Sequence, residues 1–507
     1  MPHIPATERP RAPELERRRW RVLVVASVGV FMATLDSSIV AVALPVIGPQ
    51  LRLTYSEALW VQAAYILVVA VLIITAGRLA DLHGPLRLYT LGVILFGLFS
   101  VMAALSPGGL FLVMARGLQG VGGALLLATS AAIVIAAFPP EERGKALGFN
   151  VMFATVGPIL GPPLGGLIAT HLGWRWIFLV NVPVALATLG AGWDLLGAER
   201  RDRAAERLRR GLSATSDRVD ALGAGLLGAM LATLFVPLSF SPLWGWANAG
   251  TIALLSSAVV LATAFVTVEN RVKDPVLDLD LFRRNPVFAA GSTAALLFTF
   301  ATYGIVIFTA LFLEIVRGHS AQWAGLMLLV QPAVMTALAP FAGRLSDRVG
   351  SRGPAAAGMV VVAAGLAQLA LASSAASMWR LVAALATVGV GGAFFIAPNI
   401  SAVMGSVDRS TLGVASGVRF TMGFSGQGLS ISVLGAIAAS QLGPNGGRVI
   451  LLGESASAGN ALAFAAGYRE AMLVASGLAL LGALVSLAAK SRRESRNSGN
   501  LEVIALP

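Results

Sequence analysis

The sequence contains no cysteine among its 507 residues. It therefore has no disulfide, no thiolate metal site and no thiol nucleophile. Charge is scarce as well: 12% of residues are Asp, Glu, Lys or Arg, against about 25% in a soluble domain. Histidine is rarer still. His3, His83, His171 and His319 fall in tails or loops without the paired spacing that a metal ion needs. No G-x-x-x-x-G-K-S/T loop occurs, which argues against ATP drive. No nucleophile–base constellation argues for an enzyme. The expectation is a chain with no catalytic residues, no cofactor and no metal.

What the sequence has is apolar length. Hydrophobic residues make up 56% of it and the mean hydropathy is +0.79. Fourteen runs of about 20 residues or more, enough for a helix to cross a hydrocarbon core, are expected at 20–44, 57–77, 88–106, 109–137, 146–170, 174–197, 220–240, 248–269, 286–316, 322–343, 354–374, 378–405, 412–440 and 461–489. The class is an all-α, multi-pass membrane protein embedded in a lipid bilayer. The first run follows a polar start, Met1 to Arg19, and is too long for a cleaved signal segment. The net charge of +12 does not point to nucleic acid, because the basic residues cluster between the apolar runs. With the N-terminus in the cytoplasm, about 29 Lys and Arg fall in cytoplasmic segments and about six outside, a bias that sets orientation. An even number of spans places both termini in the cytoplasm. The longest basic loop carries Arg200, Arg201, Arg203, Arg207, Arg209, Arg210 and Arg218, and reads as a solvated linker near anionic headgroups.

The chain repeats itself. GRLADLHGPLR from Gly77 ends the second run, and GRLSDRVGSRG from Gly343 ends the tenth; GVGGALLLATS from Gly120 matches GVGGAFFIAPN from Gly389. The two offsets, 266 and 269 residues, nearly agree and argue for duplicated halves. The displacement spans eight runs rather than six, so two runs are inserted. The expected organisation is a cytoplasmic tail 1–19, a six-helix bundle 20–197, a basic linker 198–219, two inserted helices 220–269, a cytoplasmic loop 270–285, a second six-helix bundle 286–489 and a cytoplasmic tail 490–507.

Two charges lie deep in the first bundle. Asp36 and Arg116 fall about 12 Å and about 10 Å below the outer ends of their runs, at similar depth. An acid at that depth costs roughly 2.5–3.5 kcal/mol on insertion scales. Pairing reduces that cost and tunes the carboxylate; the plainer alternatives are that Asp36 only caps a neighbour and that Arg116 only neutralises helix ends. The position matching Arg116 in the second half is Leu385, so the charge chemistry is one-sided. Gly157 to Gly166 packs three prolines and four glycines into one span. Proline interrupts helix hydrogen bonding and small residues allow close approach. The run suits a seam between bundles, or a static packing face. Arg78, Asp81, Asp347 and Arg348 lie at helix ends beside Gly84 and Gly350, which permit positive φ where the chain reverses. Gln62, Tyr65, Gln119, Asn181, Gln331 and Asn399, with Trp60, are candidates for a cavity wall. Glu314 and Asp194 read as interfacial, and Arg419 as snorkelling from the start of its span.

These motifs resemble those of the major facilitator superfamily, in its fourteen-helix drug:proton antiporter branch. LDSSIVAVALP, Leu35 to Pro45, is similar to that branch's first-helix signature. Gly77, Leu79, Asp81 and Gly84 match its loop motif G-x-L-x-D-x-x-G, and Arg116, Gln119, Gly120 and Gly122 match R-x-x-Q-G-x-G. Gly157, Pro158, Gly161, Pro162, Gly165 and Gly166 lie in the helix-five motif associated with antiporters. WRWIFLVNVP, Trp174 to Pro183, and DPVLDLDLFRR before the ninth run also fit. The resemblance implies the major facilitator fold, with two six-helix bundles rocking around a midplane cavity plus two inserted helices. It implies a monomeric exporter in a bacterial inner membrane that drives amphipathic small molecules outward against inward protons. Asp36 and Arg116 would couple the proton, and Asp81 and Asp347, with Arg78 and Arg348, would latch the cytoplasmic side. Pro85 and Leu86 occupy positions usually basic in the family, which shifts the first latch toward Arg78. A proton-coupled importer and a non-transporting receptor remain the alternatives.

Overall fold

The computed structural model describes residues 12–139, 142–192, 220–245, 247–272, 275, 279–371, 377–407, 412–442 and 458–488. Among them all regular structure is helical. The helices are α1 (Ala12–Leu51), α2 (Tyr55–His83), α3 (Pro85–Ala104), α4 (Gly109–Ala137), α5 (Arg143–His171), α6 (Trp176–Gly192), α7 (Ala221–Trp244), α8 (Ala249–Glu269), α9 (Pro286–Val316), α10 (Ala321–Val349), α11 (Arg352–Ala370), α12 (Met378–Gly405), α13 (Leu412–Leu429, running on through a π turn to Ala439) and α14 (Ala458–Ala488). Twelve are long and apolar enough to cross a membrane. The other two are shorter apolar segments, α6, whose described part stops at Gly192, and Leu222–Leu238 within α7. Each expected run has its helix. The basic linker 198–219 and the tail 490–507 lie outside the described residues, as do residues 1–11 of the first tail and part of the loop 270–285.

Local chemistry explains the ends. Thr54 caps α2 in a reciprocal box: its hydroxyl accepts from the Glu57 N–H at 3.2 Å and the Glu57 carboxylate accepts from the Thr54 N–H at 2.7 Å. Gly84 and Gly350 stop α2 and α10 at φ 107° and 85°, a region that L side chains avoid. Several boundaries differ from expectation, among them the ends of α1 and α2, which run on to Leu51 and His83. α1 begins at Ala12, inside the expected tail, and α10 runs on to Val349. The second loop motif is therefore mostly the last turns of a helix, which Gly350 ends. α5 also stays one helix through Pro158, Pro162 and Pro163. The prolines do not end it, since neighbouring helices allow proline within a membrane helix.

The repeat is visible in the packing. α1 packs on α5, α2 on α4 and α3 on α4; eight helices later α9 packs on α13, α10 on α12 and α11 on α12. The contacts match residue by residue. A Cβ on Gly122 would lie 2.6 Å from the Phe96 nitrogen, and one on Gly391 would lie 2.5 Å from the Val362 nitrogen. Gly120 packs against the Tyr65 carbonyl and Gly389 against the Gln331 carbonyl. Bare backbone at these points lets the helices approach where lipid supplies no hydrophobic drive.

The inserted helices pack on each other. α7 also touches α2 from one half and α13 from the other: Gly228 meets Val71, and the buried Phe235 fills the space that Gly428 leaves. α8 leaves Val259 and Val260 67% exposed, as a lipid-facing surface would.

The face from which α1 starts is called here the termini face. At the opposite, far face the halves meet closely. α5 packs on the first segment of α10, Ala321–Leu328, with Gly166 against the Ala321 backbone and Gly325 against the Pro162 backbone. The Tyr55 hydroxyl of α2 donates to the Gly435 carbonyl of α13 at 2.9 Å.

The glycine contacts are testable. Gly122→Ala and Gly391→Ala should each cost about 1–3 kcal/mol by overpacking, lowering the midpoint of thermal unfolding in detergent. Gly148→Ala, with no atom within 4 Å, should be neutral or stabilising by up to about 1 kcal/mol through helix propensity. Three equal midpoints would refute the close-approach account.

Candidate functional site

α1, α3, α4 and α6 converge on one polar cluster inside the first half. Asp36 and Arg116 are both 0% exposed and form an ion pair through Oδ2 and Nη1. Arg116 lies one helical turn before Gln119 on α4, so both side chains leave the same face. Gln119 donates to Asp36 Oδ1 at 3.0 Å and to the Ser100 hydroxyl at 2.8 Å, while its own oxygen accepts from Arg116 at 2.6 Å. Asn181, on α6, donates to Asp36 Oδ1 at 2.9 Å. Arg116 Nε donates to the Val61 carbonyl at 3.0 Å. The guanidinium stacks 4.5 Å from the Tyr65 ring centroid and 5.8 Å from that of Phe178.

Three of the sequence motifs now have a physical part. In the fourth helix Arg116 and Gln119 supply donors, while Gly120 and Gly122 supply the close approaches that hold α4 against α2 and α3. Gly123 leaves room for the Tyr65 hydroxyl, which would stand 2.6 Å from a Cβ there and donates to the Ala33 carbonyl at 3.0 Å. In α6 and the turn before it, Trp174 binds Gln50 at 3.0 Å, Phe178 covers Arg116 and Asn181 reaches Asp36. Gly157, Gly161 and Gly165 of α5 lie against Leu35, Ser38 and Ile39 of α1. One side of the glycine run thus supports the Asp36 segment while Gly166 and Pro162 meet the second half.

All three side chains on Asp36 are donors, which suits an ionised carboxylate. A protonated one would turn its own O–H toward groups that now face it with N–H, with only the amide oxygens of Asn181 and of Gln119, which Arg116 already uses, able to accept. The pair is also sealed from solvent, and in such surroundings separating the partners is costly.

The next residue along α1 ties this cluster to the second half. The Ser37 carbonyl accepts from the Gln62 amide and, at 2.9 Å, from the hydroxyl of Tyr303 on α9; Gln62 also donates to Tyr303 at 2.7 Å. Sequence reasoning missed Ser100 and Tyr303. Each is a polar group in the middle of an apolar run, and Tyr303 stands well away from the membrane interface where tyrosine usually anchors.

Other expected residues fall elsewhere. Gln119 and Asn181, expected on a cavity wall, are buried and bound to Asp36. Asn399 is buried on α12 with its oxygen beside Gly291, and Gln331 is half-buried on α10. Arg78 is half-buried near the end of α2, and the side chain of Asp81 lies outside what is described. Asp347 and Arg348 are exposed on the last turn of α10, with no ion pair among the described residues.

The family model described as "Major Facilitator Superfamily" matches residues 26–431. The chain belongs to the Major Facilitator Superfamily. It is 35% identical over 429 residues to "Multidrug resistance protein Stp" of Mycobacterium tuberculosis, covering 84% of this chain and 77% of that protein. It is 32% identical over 429 residues to the "Tetracenomycin C resistance and export protein" of Streptomyces glaucescens, covering 85% and 78%. The solved D-xylose-proton symporter superposes with a TM-score of 0.63 at 15% identity, over 93% of this chain and 98% of that one; this likeness shows the fold alone. The superfamily member described here is a multi-pass membrane transporter of small molecules, of drug-transporter type and not an enzyme.

The buried pair gives a stability test. Arg116→Gln strands a buried carboxylate and should cost about 3–5 kcal/mol, whereas removing both charges in Asp36→Asn/Arg116→Gln should recover most of that loss. Thermal midpoints should rank wild type, double variant, single variant; a single variant as stable as the double would show that the pair does not hold the fold.

Proposed function

We propose that the protein is a proton-coupled exporter of amphipathic small molecules, with Asp36 as the proton site. One observation carries this reading: a carboxylate fully buried in the membrane domain, bound to a single guanidinium, in a relative of multidrug and antibiotic export proteins. A charge kept at that depth is expensive and marks an ion or proton pathway by default.

The described contacts close the far face, and every donor on Asp36 suits its ionised form. This supports a state open to the termini face in which Asp36 has already given up its proton. In the opposite state Asp36 takes a proton from the far side. Its Oδ2 then gives up Arg116, and the guanidinium is left to the Gln119 oxygen, the Val61 carbonyl and the two aromatic faces. Loss of the ion pair relaxes α1 at Ser37, where Tyr303 and Gln62 hold it to the second half. Substrate leaves outward in that state, and release of the proton inward restores the pair. Gly157 to Gly166 forms the seam on which the halves move. Asp81 and Asp347, with Arg78 and Arg348, latch the termini face when it closes.

The Lys and Arg bias puts the termini face in the cytoplasm. In this cysteine-free chain, a thiol reagent should label Ala247→Cys only from outside and His83→Cys only from the cytoplasm. Adding Asp347→Asn should speed the second reaction by loosening the latch. Labelling of Ala247→Cys from the cytoplasm would overturn the orientation, and an unchanged rate at His83→Cys the latch.

Asp36→Asn keeps the size and removes the charge. It should abolish pumping against a gradient and substrate-induced proton release from purified protein, while substrate exchange down a gradient persists. Proton release and uphill export that survive in Asp36→Asn would place coupling elsewhere. In the same proteoliposomes, proton-driven uptake would favour an importer, which the fold shared with a symporter permits, and no flux would favour a receptor.

A further inference from the structure

A second basic side chain lies well inside a membrane helix, and the Asp36 cluster does not use it. Arg419 is two turns into α13. Its Nε is shut off from solvent without a hydrogen-bond partner, and among the described residues it has no ion pair. Its one recorded contact is with the neighbouring Phe420 ring, 6.0 Å from guanidinium to centroid. The expectation that it snorkels to the interface is not met at that nitrogen. Acids that could neutralise it are missing from the flanking spans at its level. α12 has none, α9 has Glu314 at its far end, and α2 has Glu57 at its far end and Asp81 in its last turn.

The face that carries Arg419 is open. Gly423 follows at i+4 and Gln427 at i+8, one stripe along the helix. A Cβ on Gly423 would meet nothing within 4 Å, and Gln427 Oε1 is buried without a partner. The stripe thus runs from a free cation over an empty stretch to a free acceptor. It starts level with Ile74 of the first half, which lies 3.8 Å from where a Cβ on Gly417 would stand. It ends beyond Gly426, which abuts Thr299 on α9, the helix that carries Tyr303. Arg116 shows how a structural arginine is treated in this chain: it has a carboxylate, an amide, a carbonyl and two rings.

We propose that Arg419 is the anion-recognising group of the substrate path. The transported molecule carries a carboxylate, phenolate or similar oxyanion that pairs with the guanidinium. Its apolar body lies over Phe420 and the open face at Gly423, and a hydroxyl or amide at its other end donates to Gln427 Oε1. The substrate class is then an amphipathic anion. This deepens the exporter reading and rests on it.

Two dyes sharing one ring system test the assignment: fluorescein, an anion, and rhodamine 6G, a cation. Both are followed in proteoliposomes under an imposed proton gradient, and fluorescein binding is followed by anisotropy in detergent. Wild type should pump fluorescein. Arg419→Gln should slow that at least tenfold while changing rhodamine 6G transport less than twofold, and Arg419→Lys should keep at least a third of the fluorescein rate. Gly423→Leu, which fills the open face and leaves the charge, should weaken fluorescein binding at least fivefold. Equal slowing of both dyes by Arg419→Gln would make Arg419 a structural or lipid-binding residue and overturn the proposal. Wild type pumping rhodamine 6G but not fluorescein would overturn the anion class and leave the exporter standing. Wild type pumping neither dye would overturn both.

Discussion

The structure depends on one ion pair that the bilayer makes expensive. Neither Asp36 nor Arg116 can stand alone at its depth, because unpaired charge in hydrocarbon costs several kcal/mol. Four helices are therefore bound to fixed positions. α1 brings the acid, α4 the base, α3 a hydroxyl and α6 an amide, and the backbone of α2 closes the set at Val61. The same requirement accounts for the glycines around the pair. Gly120, Gly122 and Gly123 bring α4 close enough for Arg116 to reach across, and Gly157, Gly161 and Gly165 let α5 support α1 behind Asp36.

A pair this well satisfied resists change, and under the proposed exporter reading that suits it to act as a switch. Adding a proton to Asp36 removes the reason for Arg116, Gln119 and Asn181 to hold their places. The adjoining Ser37 carbonyl is held by Gln62 and Tyr303, so a shift of α1 is felt at once on α9. The second half repeats the packing of the first down to single glycine contacts but has Leu385 where Arg116 would be. Under the proposed exporter reading, duplicated architecture with undivided chemistry would let one half hold the proton site while the other moves against it. α7 touches α2 and α13 together and so bridges the two halves.

Much of this was legible in the sequence. Fourteen apolar runs, the 266- and 269-residue offsets and two buried charges at equal depth gave the fold class, the repeat and the central pair of the site. Hydropathy works here because a membrane helix must satisfy its own backbone, so length and composition alone identify it. The glycine motifs were legible too, since only close packing or unusual φ explains so many in apolar helices. Helix ends were less so: α1 starts and α10 stops several residues beyond their apolar runs, where capping and solvated turns decide the boundary.

Side-chain partners were decided by the tertiary structure. Gln119 and Asn181 looked like cavity polars, because a sequence shows that an amide is in the membrane but not which face it takes among several neighbours. Ser100 and Tyr303 were passed over because a hydroxyl can always fall back on its own helix backbone, as Thr34 and Thr129 do here. Arg419 read as a snorkelling residue, and only the packing shows that its Nε is buried without a partner and that no ion pair holds it among the described residues. The sequence by itself placed two opposite charges at similar depth in the first bundle and made their pairing the expectation, since one-dimensional depth and bilayer energetics suffice for that. Which groups complete the pair, which charge stays free, and where the two halves touch depend on helix rotation and crossing, and these are set only when all the helices pack together.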